Sequence, residues 1–120
     1  MKYTNQSAFD AMCDRLRDGT GRAYDEVENR CRYRTEDGRE CAVGALIPDS
    51  EFSERLEGVL AGYIGSKVPA LADVDGAMLG AVQEEHDFAP NWDGDNFIGE
   101  AQLRRIADFH GLTYTPPEVN

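Results

Sequence analysis

Basic residues are in short supply beside the acidic ones in this chain. Its 120 residues include 12 Lys and Arg against 23 Asp and Glu, a formal net charge of −11. The shortage is sharpest in residues 61–120, where Lys67, Arg104 and Arg105 face ten acids, a balance of −7. Such a field repels DNA, RNA and anionic membranes, so no direct nucleic-acid partner is expected. The basic run with an aromatic, Arg32-Tyr33-Arg34, is too short to reverse this. Long apolar runs are missing as well, which excludes a membrane-spanning segment. Met1-Lys2-Tyr3-Thr4-Asn5 leads straight into an amphipathic stretch without the apolar core of a secretory leader. Cysteine is rare, and its count of three is odd, which argues against a disulfide framework. Reduced thiols in a cytoplasm are the expectation.

Catalytic and cofactor signatures are also lacking. There is no C-x-x-C knuckle, no phosphate-binding glycine loop and no nucleophile elbow. Asp93-Gly94-Asp95-Asn96 looks like the opening of a calcium loop. With Asn91 placed first, however, the sixth residue is Asn96 and the twelfth Gln102, where such a loop requires Gly and Glu. No catalytic residue, metal or cofactor is therefore expected.

What is present is an ordinary globular mixture, 41% hydrophobic and 29% charged. This length supports one domain and one core. Ser7, with Asp10 as its box partner, predicts a helix start, followed by Phe9, Met12, Cys13 and Leu16 at helical spacing until Gly19 and Gly21. Residues 22–30 leave a short helix and an ordered loop both open. Cys31 to Gly44 reads as a hairpin around Glu36-Asp37-Gly38. A three-residue loop with a left-handed Gly38 pairs Thr35 with Arg39, Arg34 with Glu40, Tyr33 with Cys41 and Cys31 with Val43. That register places the apolar Cys31, Tyr33, Cys41 and Val43 on one face and Arg32, Arg34, Glu40 and Ala42 on the other, solvated one. Asp49 or Ser50 then predicts a helix with Phe52, Leu56, Val59, Leu60 and Tyr63 inward, weakened by Gly58, Gly62 and Gly65. Asp75 caps a further helix carrying Met78, Leu79, Val82 and His86. A loop spans 89–96. The last helix carries Leu103, Ile106, Ala107 and His110 and stops at Gly111. Residues 1–112 form the domain, and 113–120, with Pro116-Pro117, read as a frayed tail. The fold class is α+β: mainly helical, with one antiparallel hairpin at about residues 31–43 packed on the helices.

Two sets of residues are candidates for function. Asp73, Asp75, Glu84, Glu85, Asp87, Asp93 and Asp95 flank one helix and its exit loop, and with Arg32 and Arg34 they form the expected partner-binding surface. The alternative is a thiol enzyme or metal site centred on Cys31, Cys41 and His86. Against it, Cys31 and Cys41 are diagonal neighbours in the hairpin. Neighbouring His86 and Asp87 also point about 100° apart on a helix, so Asp87 is not expected to orient the ring.

The run Cys31-x-Tyr33-Arg34, then Gly38, then Cys41-Ala42-Val43-Gly44-Ala45-Leu46-Ile47-Pro48-Asp49 resembles a motif of small uncharacterised proteins of tailed phages and prophages. Glu57-Gly58, His86-Asp87, Trp92 and Gly111-Leu112 continue the likeness, which covers about residues 8–112; segment 19–30 is longer than that pattern. The resemblance implies a setting, a phage protein in the host cytoplasm, and no mechanism. Together with the charge it leads to an expected function by stoichiometric binding. The partner would be a host protein with a basic surface, in a nucleic-acid-binding or defence system of the kind that anti-restriction and anti-CRISPR proteins inhibit.

Overall fold

In the computed structural model, which describes residues 2–118, three helices enclose one core, and short turns and hairpins fill the rest. Helix α1 (Asn5–Leu16) starts from Thr4, whose side chain accepts the Ser7 amide at 3.0 Å while Ser7 Oγ accepts the Thr4 amide at 2.9 Å. Ser7 is thus the inner member of the capping box, not the cap itself. Phe9, Met12, Cys13 and Leu16 are buried as their spacing requires. Helix α2 (Gly76–Asp87) starts at Asp75, whose carboxylate accepts the Ala77 amide at 2.8 Å, and buries Met78, Leu79, Val82 and His86. Helix α3 (Glu100–His110) buries Leu103, Ile106 and Ala107 and ends at Gly111 with φ +68°. Each large side chain withdrawn into this core contributes about 1.5–3 kcal/mol. Among the described residues no helix is long and apolar enough to cross a membrane.

The predicted hairpin turn forms. Gly38 has φ +89°, the Thr35 amide donates to Arg39 at 2.8 Å, Arg34 bridges Glu40, and the Cys41 amide donates to Tyr33 at 3.2 Å. Beyond Cys41 the pairing stops. The chain turns helically at Gly44–Leu46, where a Cβ on Gly44 would overlap the Tyr33 carbonyl oxygen. Cys31 does not face Val43. It lies in β2 (Arg30–Cys31), opposite Tyr24 of β1 (Tyr24–Asp25). Residues 22–30, for which helix and loop were both open, are therefore mostly a hairpin. Its tip is set by Asp25, which accepts the Val27 and Glu28 amides at 2.9 and 3.1 Å, and by Asn29 at φ +58°.

The helix expected after Asp49 is replaced by a string of short 3₁₀ turns: Asp49–Glu51, Glu54–Gly58, Ala61–Ser66 and Pro69–Leu71. Extended residues at Phe52, Val59 and Leu60 separate them. Every break rotates the inward face. Leu56 is buried, Ile64 replaces Tyr63 as the next core residue, and Leu60 and Tyr63 point outward. The loop after α2 contains one more turn, Ala89–Asn91, and a small hairpin of β3 (Trp92–Asp93) and β4 (Asn96–Phe97).

The C-terminal segment is docked, which corrects the frayed-tail expectation through residue 115. Gln6 exchanges two hydrogen bonds with Thr113 at 2.8 and 2.9 Å. The Tyr114 hydroxyl donates to Glu100 at 2.6 Å, and Arg17 donates to the Thr115 carbonyl at 3.0 Å. Val119 and Asn120, the end of that predicted tail, lie outside the described residues.

Candidate functional site

The last turn of α2 carries a buried polar knot. Gln83 and His86 share a helix face three residues apart, and both turn inward. His86 Nε2 accepts the backbone amide of Ala23 at 3.1 Å. A neutral imidazole offers one acceptor nitrogen, so the proton sits on Nδ1 and is donated to Asp87 Oδ1 at 2.8 Å. Gln83 donates to the same carboxylate oxygen at 2.8 Å, and its own oxygen accepts the Val43 amide at 3.1 Å. The Trp92 indole donates to the His86 carbonyl at 2.8 Å and meets the ring edge to face. Asp87 does orient His86, contrary to the helical-wheel expectation. As the final residue of α2, its carboxylate reaches back to take both donors. Burial holds the His86 imidazole below its ordinary pKa, against the opposing pull of Asp87.

Cys31 completes a cluster with these two. Its sulfur, a His86 ring nitrogen and an Asp87 oxygen all lie within 4.8 Å of one another. Cys41, the third member of the sequence-based set, is not part of it. That thiol is fully buried elsewhere and its sulfur accepts the Gly44 amide at 3.1 Å. In geometry the cluster is Cys–His–Asp, but the proton inventory opposes both chemistries considered for it. A base for the thiol, or a nitrogen ligand for a metal, needs the lone pair that His86 gives to Ala23. Freeing it would leave a buried amide unpaired. Burial and the Asp87 charge also push the Cys31 thiol up to about 12, so it stays protonated at neutral pH. Cys13 is likewise raised to about 12 by burial, and Cys41 is raised further. Native protein should therefore react with a bulky maleimide over hours and not minutes, whereas urea-unfolded protein should react at all three cysteines at once. Rapid labelling of Cys31 in the native state would contradict the neutral, partly buried thiol.

The two arginines assigned to a solvated hairpin face are in fact covered. Arg32 is only 9% exposed and sits against Glu54 at 2.6 Å, Asp25 at 3.4 Å and Glu57 at 3.8 Å. Arg34 donates to the Ile47 carbonyl at 2.6 Å, pairs with Asp49 at 2.9 Å and lies over the Phe52 ring. The turns of residues 47–57 fold over this face and bring the carboxylates with them. Both side chains hold the domain together and are not free for a partner. Glu57 entered the sequence reading only through the Glu57-Gly58 likeness, with no role assigned. Its side chain, 5% exposed, accepts the Tyr33 and Arg34 amides at 2.8 and 3.1 Å and so takes the place of a missing strand.

The seven predicted acidic contacts separate into two groups. Asp73 pairs loosely with Lys2 at 3.8 Å, and Asp75 caps α2 and approaches His110 at 3.7 Å, both at the helix start. Glu84, Glu85, Asp87, Asp93 and Asp95 gather at the other end, on the last turn of α2 and the β3–β4 hairpin. A second concentration of carboxylates, unforeseen in the sequence, surrounds a cleft of about 470 Å³ between the two hairpin tips: Asp25, Glu26, Glu28, Glu36 and Asp37. Comparison with known protein families, curated proteins and solved structures finds no match for this chain.

Proposed function

We propose that this chain works by stoichiometric binding to a basic surface of a host protein, without turnover. The observation that carries the reading is the acidic end of α2. Glu84, Glu85 and Asp87 occupy the last helical turn, where the helix dipole already disfavours negative charge, and the exposed Asp93 and Asp95 follow on the next hairpin. Among the described residues Glu84, Glu85, Asp93 and Asp95 make no ion pair. Arg22, the cation bonded to this end, is committed to the Asp87 carbonyl at 3.0 Å and to the Tyr24 ring. Carboxylates held together in this way repel one another, and a cationic partner relieves the repulsion.

The resemblance to phage proteins supports a host-cell setting, and the acidic charge suits an inhibitor's role against a nucleic-acid-binding or defence system. The alternative, a Cys/His thiol enzyme or metalloprotein, has the cluster in its favour but lacks a free histidine nitrogen. The test is a pull-down from host lysate at low and high salt, followed by kinetics on the captured partner. A variant carrying Glu84→Gln, Glu85→Gln, Asp93→Asn and Asp95→Asn should associate about tenfold more slowly, with a flatter salt dependence and little change in off-rate. Full activity of that variant, together with loss of activity in a folded Cys31→Ala protein, would transfer the function to the cluster.

A further inference from the structure

Resting on that reading, we propose that the partner inserts a short apolar segment ending in arginine or lysine into the groove between the turn Ala61–Ser66 and α2. The groove encloses about 670 Å³ and runs along the outer face of the helix. Its floor is nearly bare backbone, because Gly62 and Gly76 touch so closely that a Cβ on Gly76 would overlap the Gly62 carbonyl. Ala77 and Ala81 extend that floor, and Leu60 and Tyr63 stand over it. These two are 72% and 70% exposed, a large apolar surface left in water on one short turn. The length of the groove therefore favours apolar side chains.

Its end does not. Glu84 and Asp87 close the groove at the C-terminal end of α2, and 44% of the Asp87 side chain remains exposed after its bonds to His86 and Gln83. There the groove continues into a smaller cavity of about 170 Å³ that shares Leu60, Ala61, Gln83 and Asp87 and reaches Cys31 and Glu57. Arg32 at its back is neutralised by three carboxylates. An apolar trough leading to an acidic, side-chain-sized recess selects an apolar stretch followed by a long cationic side chain, and charge complementarity sets the direction in which it lies.

The experiment uses two synthetic hexapeptides, acetylated and amidated. One alternates alanine and leucine and ends in two arginines; the other has serine in place of leucine. Each is titrated into isotope-labelled protein at low salt and followed by amide shifts. The leucine peptide should bind one to one, moving residues 60–63 and 77–84, and the serine peptide should bind about tenfold more weakly. Ala81→Trp, which fills the trough, should weaken the leucine peptide by about tenfold. Glu84→Arg on the exposed rim does the same by charge reversal and serves should the tryptophan variant misfold. Equal binding of both peptides, or shifts confined to the cleft of residues 24–39, would overturn the groove and leave binding to a basic partner standing. No binding of either peptide would also overturn the groove, while the on-rate experiment above still judges the broader reading separately. Groove resonances that move on dilution without peptide, with a dimer in sedimentation, would make a second copy the occupant and equally overturn the proposal.

Discussion

Replacing Glu57 with alanine should cost the domain about 3–5 kcal/mol, a large part of the stability of a chain this size. Two backbone amides, of Tyr33 and Arg34, would lose their acceptor inside the protein, and Arg32 would lose its most buried counter-charge. Unpaired buried donors carry a desolvation penalty, and the Glu57 side chain that satisfies these two is only 5% exposed. Glu54 provides the internal control. It also meets Arg32, at 2.6 Å, but its side chain is 76% exposed, so Glu54→Ala should cost less than about 1 kcal/mol. Urea midpoints at constant slope measure both. Equal effects from the two variants would show that Glu57 is an ordinary surface ion-pair partner and does not hold the hairpin.

The second large effect concerns His86 and acid. The ring is fully buried, and its folded-state pKa is depressed by burial. An unfolded histidine titrates near pH ~6.5. The stability contributed by the neutral ring is therefore complete above about pH 6.5 and is lost as pH falls toward the folded value, because the unfolded chain then binds a proton that the folded one refuses. The slope from this one site is at most about 1.4 kcal/mol per pH unit. His86→Ala should cost about 3 kcal/mol at pH 8, since it opens a cavity and orphans the Ala23 amide, and it should flatten the stability curve between about pH 6.5 and 5. An unchanged slope in the variant would assign the acid sensitivity to other groups.

Much of the fold could be read from local chemistry. Helical spacing picked out the buried residues of α1, α2 and α3, and Asp75 and Gly111 mark helix ends as their side-chain chemistry and backbone freedom require. The register about Gly38 followed from keeping one face apolar, and the first pairs obey it. These features depend on residues within one turn or one strand pair of each other, so the sequence carries them directly.

The tertiary structure alone decided what covers each face and which distant groups meet. The Arg32 and Arg34 face was read as solvated because nothing in the hairpin buries it, yet the turns of residues 47–57 bring Asp49, Glu54 and Glu57 onto it. No periodic pattern signals that contact, because a string of short turns has no single period. The Cys31, His86 and Asp87 cluster, and the loss of His86 as a base, depend on Ala23 lying 63 residues away in sequence with its amide aimed at one ring nitrogen. Composition determined that the protein would be acidic. Only the packing of α2 against the turn Ala61–Ser66 decided where its carboxylates meet exposed apolar surface. Charge is additive along a chain, whereas a groove exists only once two separate segments have closed on each other.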